Sequence, residues 1–130
     1  MLATGLQDFL TWQRAHEYVL QTYKDTTVFP NGENNELGKE IRKAAIDIAT
    51  NITIAYNRPN KEEKKKFVAA AQSNIDKSTY LLTLAKDLGY IMESDENALE
   101  TALENCIKMF STYRRSLYEQ RQSSYYDNQQ

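Results

Sequence analysis

Apolar residues return at three- and four-residue steps through four stretches of this chain, the spacing that lines one face of a helix. Phe9, Trp12, His16, Val19, Leu20 and Tyr23 predict a first helix over about residues 6–27. Leu37, Ile41, Ala44, Ala45, Ile48, Ile52 and Ala55 predict a second over 36–57. Phe67, Ala71, Asn74, Ile75, Ser78, Leu82 and Ala85 predict a third over 61–88. Leu99, Leu103, Cys106, Ile107, Phe110, Tyr113 and Leu117 predict a fourth over 95–120.

The punctuation agrees. Phe29-Pro30-Asn31-Gly32 stops the first helix, because Pro30 disfavours helix at the preceding residue and Asn-Gly suits a turn. Asn34 or Asn35 is placed to cap the second helix. Asn60 caps the third, with Glu63 three residues on as in a capping box. Gly89 fits a left-handed position after the third helix. Ser94, followed by Asp95 and Glu96, fits the start of the fourth. No β-type alternation competes. The expected fold is all-α, an antiparallel up-down four-helix bundle over residues 1–122, with 123–130 a disordered tail.

The second helix breaks the usual pattern. Between Ala44 and Asn57 its single charge is Asp47, so the face opposite the core holds Ile46, Thr50, Thr53 and Ile54 where a surface helix would carry Lys and Glu. One explanation is that a second copy of the chain covers this face, making a homo-oligomer with the second helix at the contact. The other is an Ala/Thr-rich surface with scattered isoleucines, which monomers tolerate. Asp47 and Asn51, four residues apart, can meet on one face. They could make a polar contact between subunits, or bond within the bundle.

Composition narrows the choices. The 130 residues suit one domain; 41% are hydrophobic and 26% charged, and 4 Gly and 2 Pro leave little material for turns. The start has no basic segment followed by a long apolar run, and no stretch is long and apolar enough to span a membrane. A cytoplasmic protein is expected. Cys106 can form no intrachain disulfide and reads as a packed thiol. His16 is the only histidine, so a Glu-x-x-His di-iron site is not expected, and it reads as packed and hydrogen-bonded on the apolar stripe. There is no phosphate loop, zinc spacing or nucleophile elbow. Neither enzymatic activity, a cofactor nor a small-molecule substrate is expected.

Net charge is −2, yet the charges are unevenly placed. Arg42, Lys43, Arg58, Lys61, Lys64, Lys65 and Lys66 make the junction of the second and third helices a basic corner, whereas residues 86–104 carry six acids against the single cation Lys86. Repeated around an oligomer, that corner could hold RNA or DNA by avidity. The plainer alternative is a solvated surface that aids solubility. A protein-interaction scaffold that never touches nucleic acid is the competing function.

The order of certain residues is also informative. Trp12, Ala15-His16-Glu17, Leu20, Tyr23, Thr26, Phe29-Pro30, Glu33, Leu37, Ile41-Arg42-Lys43-Ala44-Ala45, Ile48, Asn51-Ile52, Arg58, Glu62, Phe67, Ala71 and Asp87-Leu88-Gly89-Tyr90 form a series. It resembles the four-helix-bundle proteins encoded within intervening sequences of bacterial 23S ribosomal RNA genes. The resemblance implies a bundle assembled as a ring-like homopentamer. It also implies kinship with the accessory protein of diversity-generating retroelements, a pentameric bundle that binds nucleic acid and reverse transcriptase. The chain departs from the family pattern at Thr53-Ile54-Ala55 and at Lys77.

Overall fold

The structure is a computed structural model that describes residues 4–92 and 97–129, with side chains described for 5–92 and 97–119. It is all-helical, with no strand among the described residues. A short helix α1 (Thr4–Asp8) leads into α2 (Leu10–Thr26), α3 (Glu36–Tyr56), α4 (Lys61–Asp87) and α5 (Ala98–Gln129). The long helices form a bundle. α3 packs against α2 and α4, and α5 closes the circuit against α2 and α4.

The expected first helix is in two pieces. Phe9 is extended (φ −76°, ψ 111°) and separates α1 from α2. Its ring sits 5.4 Å from that of Tyr56 and 4.9 Å, edge-on, from that of Tyr113, so an aromatic anchor between α3 and α5 outweighs helical continuity. At the other end of the chain, the backbone of α5 continues to Gln129, past the last apolar stripe residue, Leu117.

The core face of α2 differs from the expected one. Thr11, Ala15, Tyr18, Thr22 and Thr26 are buried, while Leu20 and Tyr23 are 56% and 51% exposed and His16 is exposed. The threonine hydroxyls explain the rotation. Thr22 and Thr26 donate to the carbonyls of Val19 and Thr22, and Thr11 donates to that of Met109 in α5. Bonded in this way, threonine enters a core as a small side chain with no unpaired hydroxyl. The other helices bury the faces that their apolar spacing predicts. Ile41, Ala44, Ala45, Ile48, Ile52 and Ala55 are buried on α3, and Leu99, Leu103, Cys106, Phe110 and Leu117 on α5.

The ends are chemically capped. Asn31 and Gly32 take positive φ in the turn before α3, and Asn35 Oδ1 accepts from Gly38 N at 2.9 Å. Gly38 lets α2 and α3 approach closely, since a Cβ there would sit a tight 3.2 Å from Thr26 Cβ. Asn60 Oδ1 accepts from Glu63 N at the start of α4. Gly89 (φ +78°) closes α4, with Gly89 N donating to Lys86 O and Tyr90 N to Ala85 O, the paired bonds of a Schellman motif. The expected cap at Ser94, with Asp95 and Glu96, lies outside the described residues. Asn97 performs that role for α5, its Oδ1 accepting from Leu99 N and Glu100 N, both at 3.0 Å.

Candidate nucleic-acid interface and apolar outer face

The outward surface between α2 and α3 is a shallow apolar cleft. Trp12, His16 and Val19 of α2 line it with Ile46, Ala49, Thr50, Thr53 and Ile54 of α3, enclosing about 280 Å³. No Lys, Arg, Asp or Glu contributes to this lining. Trp12 Nε1 donates to Thr53 Oγ1 at 3.0 Å, and Thr53 in turn donates to Ala49 O, so the indole is held in place. His16 stacks flat on Trp12, with centroids 4.9 Å apart. The histidine is therefore an exposed lid over the indole and has no hydrogen bond among the described residues, in contrast to the packed, hydrogen-bonded residue expected. The apolar stripe expected to line the core from the first helix thus belongs partly to this outer wall.

Of the six candidate interface residues, Ile46, Thr50, Thr53 and Ile54 line the cleft together. Asp47 and Asn51 do not. Both are half-buried and are not part of the cleft lining among the described residues. Asn51 Nδ2 donates to the Asp47 backbone carbonyl at 2.8 Å, a bond within one helix.

The seven candidate cations separate into two groups. Arg42 and Lys43 lie near the start of α3 and Arg58 just beyond its end, about 22 Å away at the helical rise per residue. Arg42 is occupied structurally. It donates to Thr26 Oγ1 at 2.6 Å and to Glu33 O at 2.8 Å, and its guanidinium lies over the Tyr23 ring. Lys43 is exposed. At the other end, Lys64 Nζ donates to the last carbonyls of α3, Ala55 O at 3.0 Å and Tyr56 O at 3.1 Å. This is a C-terminal cap favoured by the helix dipole, and partial burial lowers the Lys64 pKa from 10.5. Arg58 donates to Ile54 O and lies over the Phe67 ring. Lys65 pairs with Glu62 at 3.3 Å. Lys66 is exposed and Lys61 half-buried.

Packing adds a component that the distribution of charge along the chain does not single out. Lys65 Nζ lies over the ring of Tyr118 in α5 at 4.7 Å, and the Arg114 guanidinium lies over the same ring at 5.7 Å. The basic end therefore continues from α4 onto α5. The sequence signal for it is Ser111-x-x-Arg114-Arg115-x-x-Tyr118, in which Ser111, Arg114 or Arg115, and Tyr118 fall on one helical face.

An all-helical bundle with an apolar wall along one side and a basic end places the chain among small helical-bundle proteins. More closely, it belongs to the 23S rRNA-intervening sequence protein family, whose model matches residues 7–112. No curated protein matches the chain. Among the described residues, no His/Cys/Asp/Glu cluster could hold a metal ion, and no helix is long and apolar enough to cross a membrane.

Proposed function

We propose that this chain is a non-enzymatic, cytoplasmic, homo-oligomeric helical bundle that contacts RNA or DNA through its basic end. The observation that carries the assembly is the uncharged cleft formed by Trp12, His16, Val19, Ile46, Thr50 and Ile54, a surface suited to a second copy of the same chain. Assembly along the sides of the bundles would leave their ends open to solvent and repeat the basic corner around the oligomer. An up-down antiparallel course is supported by which residues meet across the helices. Trp12 faces Thr53 while Thr26 faces Arg42, and Glu40 faces Lys77 while Ala55 faces Lys64. A ring-like pentamer is the assembly implied by the family resemblance, and neither cofactor nor small-molecule substrate enters this reading.

Two measurements test it. Sedimentation at micromolar concentration should return several times the 15.1 kDa chain mass. A labelled structured RNA should bind at low salt and dissociate steeply as salt rises, as counterion release requires. A monomer refutes the assembly, and absence of binding at low salt refutes the nucleic-acid role. The alternative, a protein-interaction scaffold, draws support from the internal use of Arg42 and Lys64, which leaves fewer cations for a polyanion.

A further inference from the structure

We infer that the nucleic-acid site includes a phosphate-accepting cleft on α5, built from Ser111, Arg114, Arg115 and Tyr118 and backed by Lys65 of α4. The inference rests on the nucleic-acid reading above. Among the described residues the cleft, about 330 Å³, is lined by Ser111, Arg114, Arg115 and Tyr118 of α5, which supply two guanidinium groups and two hydroxyls. Three of these residues (Arg114, Arg115 and Tyr118) lie beyond residue 112, where the family match ends.

The cations are arranged rather than scattered. Tyr118, 44% exposed, carries Lys65 Nζ at 4.7 Å and the Arg114 guanidinium at 5.7 Å from its ring centre. The Lys65 side chain is only 13% exposed, held between Glu62 and the Tyr118 ring, whereas Arg114 and Arg115 are exposed. Ring contacts restrict side chains that would otherwise lose rotamer freedom on binding, which lowers the entropic cost of docking an anion. The neighbouring acids are engaged at the margins. Glu119 pairs with Arg115 Nε at 3.9 Å, and Glu62 pairs with Lys65.

Two features favour the phosphodiester of a nucleic acid over the carboxylates of an acidic peptide. Paired guanidinium forks with hydroxyl donors match the several oxygens of a phosphate. The cleft is also continuous with the α3–α4 corner, since Lys61 and Lys65 share a face one turn apart and Lys65 touches Tyr118. Arg58, Lys61 and the α5 arginines would then make a track along which successive phosphates lie.

The test compares Arg114→Gln/Arg115→Gln with Lys61→Gln/Lys66→Gln in the full chain. Circular dichroism confirms that each variant is folded, and binding of a labelled structured RNA is followed against salt. The α5 pair should weaken binding at least tenfold at low salt and reduce the log–log salt slope by about two, one for each phosphate no longer neutralised. If only the lysine pair matters, the α5 cleft is excluded and the nucleic-acid reading stands. If the wild-type chain binds no RNA at low salt, both fall together. Displacement of RNA by poly-glutamate at equal charge concentration would mark a general carboxylate surface and overturn the phosphate assignment.

Discussion

A thiol inside a packed helical interface ionises only by giving up hydration that nothing there replaces. Burial pushes the Cys106 thiol from its ordinary 9.0 to about 12. The Tyr18 phenol, also buried, is pushed from 10.0 to about 12, chiefly by desolvation, with Ser78 and Cys106 nearby. Tyr18, Ser78 and Cys106 therefore bring three polar side chains from α2, α4 and α5 into one part of the core. Neither the Tyr18 hydroxyl nor Ser78 Oγ has a well-formed hydrogen bond there, although Ser78 lies close enough to favour the phenolate. The sign of the pH effect follows. Both groups hold their protons more tightly when folded, so their contribution is fully present below about pH 9 and is lost as pH rises towards 12. Each tenfold change in such an equilibrium is about 1.4 kcal/mol, so denaturant unfolding should show a loss of several kcal/mol across that window. Cys106 should react slowly with a thiol reagent at pH 8. Tyr18→Phe should be neutral or stabilising by up to about 1 kcal/mol at pH 7, because it removes a buried hydroxyl that lacks a good partner. It should also reduce the alkaline loss.

Among the elements, α3 depends on groups outside itself at both ends. Asn35 caps its first turn, and Lys64 of the next helix caps its last. Lys64→Met should therefore cost about 1 kcal/mol in denaturant unfolding, whereas Lys66→Met should stay within about 0.5 kcal/mol. Equal effects would remove the capping role. The lysines also illustrate what was legible from the sequence. The buried faces of α3, α4 and α5, the Asn60 cap and the Gly89 stop follow from local spacing and turn chemistry. The face of α2 did not follow, because aromatic and aliphatic periodicity outvotes threonine on any hydropathy count. Thr11, Thr22 and Thr26 enter the core only once their hydroxyls find carbonyls. The basic site was legible only in part. Charge read along the chain places Lys64 and Lys66 close together, yet one is tied to the end of a helix and the other is open to solvent. Tyr118 joins this corner through packing across more than fifty residues of chain, a relation that local periodicity does not carry.

At the scale of the whole molecule, the two surfaces have different geometries. The apolar cleft is lined by α2 and α3, while the α5 cleft is lined, among the described residues, by α5 alone. Side-by-side association would bury the first and leave the second exposed, so assembly and polyanion binding would not compete for the same residues. This yields a prediction that separates them. Ile46→Lys/Ile54→Lys places two charges in the uncharged cleft without touching the buried core stripe of α3. Burying those charges between subunits would require desolvating each without a partner, which is strongly disfavoured. The variant should sediment as a 15.1 kDa monomer while keeping the helical circular-dichroism signal of the wild type. Tyr80→Lys, at an exposed position on α4 outside the cleft, is the control and should leave the assembly intact. If the oligomer survives two lysines in the cleft, another surface holds the subunits together. The monomeric variant should also bind RNA more weakly than the assembly, because it offers one basic end in place of several. Equal affinity per chain would mean that a single bundle end is sufficient.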